Sequence, residues 1–217
     1  LACNGLESIV RVCRDKNSCS HMLTLGVCEK VRSLFLLHQN SAEVVATCCH
    51  AIGSICQNED GVIGLLKVGV IDILCSALSI FSSDSAPVCV AVLHCFSELL
   101  EHGYEEIATD LLDREVCNVA LKLVEEPVSH SSQDSASVTD TTLIGYVFKF
   151  IRQLILIVPS SAMQFGQIGA VELVLYAVLA QSTASRSSPT VCLESIVLLK
   201  CLCFEPQNVT KVVLAGG

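Results

Sequence analysis

Apolar residues recur along this chain at helical spacing, in runs separated by short polar links or by single glycines. Val88, Ala91, Val92, Cys95, Phe96 and Leu99 stand at i, i+3, i+4, i+7, i+8 and i+11, one face of a helix over Ala86 to Leu100. The polar Ser82-Ser83-Asp84-Ser85 ahead of Pro87 supplies the start of that helix. The same reading predicts a short helix over Gly61 to Val68 and a longer one over Val70 to Phe81, with Gly69 between them.

Gly26, Gly69, Gly169 and Gly216 each stand between apolar runs, and the first two open similar segments, Gly26-Val-Cys-Glu-Lys-Val and Gly69-Val-Ile-Asp-Ile-Leu. Gly26 and Gly69 are 43 residues apart, and Gly169 and Gly216 are 47 apart. Both spacings fall near the helical-repeat period of about 40 to 47 residues. The 100 residues from Gly69 to Gly169 leave room for two units, with Asp113-Arg114-Glu115 at the midpoint in place of a glycine. Each unit reads as a short helix, a glycine corner, a longer helix, and a third helix reached through a polar link. Units of this kind bury their apolar faces only by stacking on their neighbours.

This grammar resembles the armadillo repeat, in which a Gly-Ala or Gly-Val breaks the chain between the first two of three helices. Gln167-Ile168-Gly169-Ala170-Val171-Glu172-Leu173-Val174 matches that pattern best. HEAT repeats usually lack it. The resemblance covers the whole chain and implies an all-α fold, a right-handed α-solenoid of stacked three-helix armadillo-like repeats. The expected order is a third helix over 1–17, repeats over 18–57, 58–103, 104–158 and 159–205, and a first helix of a following repeat over 206–217. Beginning and ending in mid-repeat, without polar caps, it reads as a fragment of a longer array.

Composition fits stacked helices. Apolar residues make up 52% and charged residues 16%, against typical values of about 45–50% and 25%. The most apolar stretch, Leu143 to Val158, contains Lys149 and Arg152 and is shorter than the roughly 20 residues of a membrane helix, so we expect a packed third helix there. Pro127 to Thr142 is a Ser/Thr-rich segment longer than a repeat link needs, expected to be a mobile loop, and Gln181 to Thr190 is a shorter one. Both are candidate phosphate acceptors.

The fourteen cysteines include no Cys-x-x-Cys, and Cys48-Cys49 and Cys201-x-Cys203 point to different sides of a helix. Cys75, Cys95, Cys117, Cys192 and Cys203 fall at core-like positions, where a thiol behaves as a small hydrophobe. No metal or other cofactor is expected, and thiols without a pairing framework point to a reducing compartment, the cytoplasm, with nuclear, cytoskeletal or ciliary association left open. Asn208-Val209-Thr210 matches a glycosylation sequon by chance. His50 and His94 each adjoin a cysteine, but adjacent residues sit about 100° apart around a helix, so neither pair makes a metal or thiol site.

Charge is uneven. Between Glu98 and Glu126 stand nine acids against Arg114 and Lys122, a net of −7 out of −9 for the whole chain. Glu101, Glu105, Glu106, Asp110 and Asp113 form the acidic patch of that stretch, read either as a site for a basic partner segment or, more plainly, as a solvated helix edge. Thirteen scattered basic residues without interleaved aromatics argue against nucleic acid.

The resemblance implies a groove lined by the third helices. Members that hold nuclear-localisation peptides carry there a Trp and, four residues later, an Asn. The Trp positions here read Glu7, His50, His94, Lys149 and Val197, and the Asn positions read Arg11, Ser54, Glu98, Gln153 and Cys201, so nuclear-import cargo binding is excluded. What remains is a polar line of different make: Glu7 and Arg11, His50 and Ser54, His94 and Glu98, Lys149 and Gln153. His50 and His94 are 44 residues apart, one repeat. The expectation is a non-catalytic protein–protein interaction scaffold that takes a protein partner along this line. The alternative is a structural or regulatory helical-repeat region of a larger multidomain protein, with or without an enzyme domain, docking on its own chain.

Overall fold

Gly26, Gly69 and Gly169 have φ of +72°, +70° and +90°, the left-handed region that only glycine enters without strain. Each ends one helix and starts the next. Residues 2–114, 116–130, 138–183 and 188–215 are described by a computed structural model. At Gly69, helix α5 (Glu59–Lys67) meets helix α6 (Val70–Phe81) at 75°, and at Gly169 helix α11 (Ser161–Gln167) meets helix α12 (Ala170–Thr183) at 72°. The third such corner joins α2 (Lys16–Thr24) to α3 (Val27–Leu37) at Gly26. The corner expected at Gly216 lies outside the described residues. The glycine-free corner also falls where expected: α8 (Glu105–Asp113) ends at an extended Arg114, with φ −90° and ψ 153°, and α9 (Val116–His130) follows.

Two of the first helices, α2 and α5, start at caps that repeat in register with their glycines, whereas α11 has no side-chain cap. Asp15 and Asn58 each stand eleven residues before a corner glycine. Asp15 accepts the Ser18 N–H at 2.8 Å, and Asn58 accepts the Asp60 N–H at 3.1 Å. Each satisfies a donor that the first helical turn leaves open.

The remaining helices are α1 (Ala2–Cys13), α4 (Ala42–Cys56), α7 (Ala86–Leu100), α10 (Val138–Ile157), α13 (Pro189–Leu202) and α14 (Pro206–Leu214), and no strand occurs among the described residues. The helices form two compact units, 1–102 and 103–217. In the first unit, like packs on like: α2 on α5, α3 on α6, and α1, α4 and α7 side by side. In the second, α9 lies on α12, α11 on α14 and α10 on α13. The all-α, three-helix grammar implied by the armadillo resemblance is thus what the chain adopts.

The cores are aliphatic with a few phenylalanines. Phe35 and Phe96 are buried in the first unit, and Phe148, Phe150 and Phe165 in the second. Val88, Ala91, Val92, Cys95, Phe96 and Leu99 are all buried, as the α7 pattern requires. The apolar stretch from Leu143 is the buried side of α10, and no single described helix is long and apolar enough to cross a membrane.

Two expectations need correction. The polar segment 127–142 is not wholly a loop, because α9 continues through Pro127 to His130 and α10 begins at Val138. The rest of it, 131–137, lies outside the described residues, as does 184–187 of the second link. Second, Cys75, Cys192 and Cys203 are only partly covered, whereas Cys13, Cys19, Cys28, Cys48, Cys49, Cys56, Cys89 and Cys201 join Cys95 and Cys117 in the interior. A cysteine's burial follows which side of its helix the neighbours cover, and apolar spacing alone left several faces equivalent.

Asn208, the first residue of the sequon, is 2% exposed. Its amide donates to the Ala162 carbonyl at 2.8 Å and to the Leu202 carbonyl at 2.9 Å, joining α14 to α11. That side chain is a structural tie.

Candidate functional site

In the first unit the solvent side of the third-helix row carries the residues expected of it, with one exception. Glu7 and Arg11 of α1 and His50 of α4 are exposed, and His94 and Glu98 of α7 are partly so. Because α4 packs on both α1 and α7, beyond its first two residues it shows water little besides Ala46, Thr47 and His50. Ser54 is the exception. It is buried at 9% exposure, and its hydroxyl donates back to the His50 carbonyl at 3.0 Å.

His94 reaches across to α4 rather than standing clear of it. Its ring lies over Gly53, close enough that a Cβ there would be 3.2 Å from Nδ1. On the other side Nε2 stands 3.6 Å from Glu98 Oε1, one turn along the same helix. Beneath them the Cys95 thiol donates to the Cys49 carbonyl at 3.0 Å, a second stitch between α7 and α4. The glycine lets the two helices approach, and that approach fixes where the imidazole lies.

The acidic residues divide between the units. Glu98 and Glu101 belong to the end of α7, where Glu101 caps the helix. Beside them His102 Nε2 lies 2.7 Å from the Cys56 carbonyl, capping α4. Glu105 and Glu106 occupy the first turn of α8, where the helix dipole favours carboxylates. Asp110 pairs with Arg114 at 2.9 Å one turn on, and Asp113 is exposed at the helix end. Local helix chemistry accounts for Glu105, Glu106 and Asp110, whereas Glu101 and Asp113 stand at helix C-termini, the end where the dipole disfavours a carboxylate.

In the second unit Lys149 and Gln153 are partly covered on α10, beside α13. Lys149 lines an open cavity of about 320 Å³ between the two helices. Gly145 marks their close approach, since a Cβ there would be 3.4 Å from the Thr190 methyl. Deeper along the same seam Arg152 donates to Glu194 at 3.0 Å, with side chains only 21% and 16% exposed. Sequence reasoning noted Arg152 but missed its partner. The 42-residue separation, one repeat, was the available signal.

The thiols are set for packing. Burial pushes Cys95 and Cys56 well above the ordinary thiol range, and it carries Cys48 to about 12. A thiol that stays protonated is a poor nucleophile and a poor metal ligand. Among the described residues no group of three or more His, Cys, Asp or Glu side chains is placed to hold a metal ion.

No protein-family model matches this chain, and no curated protein does. Among solved structures it is similar to a designed armadillo repeat protein, at 16% identity over 92% of each chain and a TM-score of 0.46.

Proposed function

We propose that the chain is a non-catalytic protein-binding scaffold that takes a protein segment on the exposed row of third helices in its first unit. One observation carries the reading. Three helices from successive repeats present Glu7 and Arg11, His50, and His94 with Glu98 on their solvent side, while their other sides are buried. A face of this kind offers spaced polar and charged contacts on a rigid base, suited to an extended or helical segment. The buried thiols support a reducing compartment and hence the cytoplasm.

The test uses exposed positions, so that folding and binding separate. The variant Arg11→Glu with His50→Glu should keep the wild-type helical spectrum and melting temperature while losing a captured, crosslinked protein partner. Equal capture by wild type and variant, at equal folding, would sink this reading.

A further inference from the structure

We propose that the outer side of α13 is a docking strip for an amphipathic partner helix that carries a carboxylate. The strip repeats a helix contact that the second unit already contains. Gly145 and Arg152 mark the side of α10 that α13 covers: a Cβ at 145 would stand 3.4 Å from the Thr190 methyl, and Arg152 donates to Glu194 at 3.0 Å. Phe148 lies between them on that side and is fully buried. One repeat further on, 48 residues, Leu193, Ile196 and Lys200 hold the corresponding places on α13. There Leu193 and Ile196 are 61% and 60% exposed, and Lys200 is exposed. In the first unit the places matching Ile196 and Lys200 are Cys49 and Gly53 on α4, and both lie under α7.

Spacing and charge together say what the strip takes. Positions at i, i+3 and i+7 line one side of a helix and suit a second helix laid along it. Lys200 stands in the place of Arg152, whose partner on the covering helix is a carboxylate, so the matching occupant carries an acid at that point. Leu193 and Ile196 supply the apolar contact beside it. A second copy of this chain matches the strip poorly. Laid strip on strip, it would bring another lysine and no acid. Glu194 is already held by Arg152, and the outer side of α1 presents Asn4, Ser8 and Arg11.

The strip lies wholly in the second unit, and this inference does not depend on the binding face proposed for the first. The probe is a synthetic peptide with the sequence of α13, the helix that makes this contact on α10, held helical by a hydrocarbon staple. It is titrated into the full chain by fluorescence anisotropy, beside a second peptide with Glu194→Lys. The expected result is binding of the first peptide. In the chain variants Lys200→Glu and Ile196→Asp, both at exposed positions, its dissociation constant should rise roughly tenfold or more with melting temperatures unchanged. The Glu194→Lys peptide should recover affinity for Lys200→Glu but not for Ile196→Asp. A peptide that merely displaced α13 from α10 would bind the Lys200→Glu chain as well as wild type, and that result would overturn the proposal. So would absence of binding to wild type, or absence of recovery on charge reversal. A dimer of the chain alone, seen by sedimentation and lost in Ile196→Asp, would give the strip to a second copy instead.

Discussion

The imidazole of His94 lies on Gly53, so the identity of residue 53 sets the position of a side chain 41 residues away. A methyl group at 53 would meet the ring at 3.2 to 3.3 Å, a few tenths of an ångström too close. The ring is 35% exposed and can yield outward, and alanine in a helix interior gains about 1 kcal/mol over glycine. Gly53→Ala should therefore leave stability unchanged or slightly raised while shifting the His94 ring resonances. Gly61 offers no such freedom, because its Cβ would overlap the backbone carbonyl of Ile55. Gly61→Ala should destabilise by about 1–3 kcal/mol, the range for overpacking. Denaturant titration of both variants checks the contrast.

Asn208 makes a second prediction about what holds the repeats together. Replacing it with alanine removes two hydrogen bonds of about 1 kcal/mol each and leaves a buried gap, so Asn208→Ala should cost about 2–3 kcal/mol. Asn208→Asp should cost more at neutral pH, because an ionised carboxylate cannot donate to the Ala162 and Leu202 carbonyls. Its loss should shrink as pH falls: the buried acid binds its proton more tightly folded than unfolded, so protonation favours the folded state. Urea unfolding at pH 5 and pH 8 distinguishes this from a simple packing defect, which would be pH-independent.

How much of this was legible beforehand follows from what a sequence pattern can encode. The corner at Gly69 and the bounds of α6 and α7 were readable, because backbone sterics and helical periodicity are local. The continuation of α9 through Pro127 was not: proline removes a donor and crowds the preceding turn, and a helix that survives it draws on tertiary packing. At the candidate face, Glu7, Arg11 and His50, which repeat alignment picks out, stand at exposed positions. Ser54 was not, because α4 is covered from both sides, and the neighbours of a helix are not written in its own period. The Arg152–Glu194 pair and the open cavity beside Lys149 depend on how α10 and α13 lie against each other, which residue spacing can suggest but not fix.

Asp15 gives a prediction in pH. The hydroxyl and the backbone N–H of Ser18 both donate to its carboxylate, at 2.6 and 2.8 Å, and hold it below the ordinary range. A carboxyl with a depressed pKa stabilises the fold above its unfolded value, and that contribution is lost as pH falls through the folded value. The Ser18 amide resonance should therefore move with a midpoint below that of a free aspartate. In Asp15→Asn, which keeps the acceptor without the charge, this titration should disappear while α2 remains capped.

The thiols allow the burial pattern to be tested directly. Cys3, Cys75, Cys192 and Cys203 are partly accessible, and the other ten are buried. Burial raises Cys13 to about 12, with Cys19 adding to the effect, and raises Cys28 and Cys89 to about 11. At pH 7.5 a thiol of pKa 12 is ionised in roughly one molecule in thirty thousand, against about one in ten for a free cysteine, and only the thiolate attacks an alkylating agent. Iodoacetamide under native conditions should therefore modify Cys3, Cys75 and Cys192 first and Cys203 more slowly, since burial raises that thiol too. The buried ten should react only on unfolding, at the rate of global or local opening. Peptide mass spectrometry over a labelling time course reads each site separately. Early modification of Cys56 or Cys95 would contradict the packing of α4 against its neighbours, on which the proposed binding face rests.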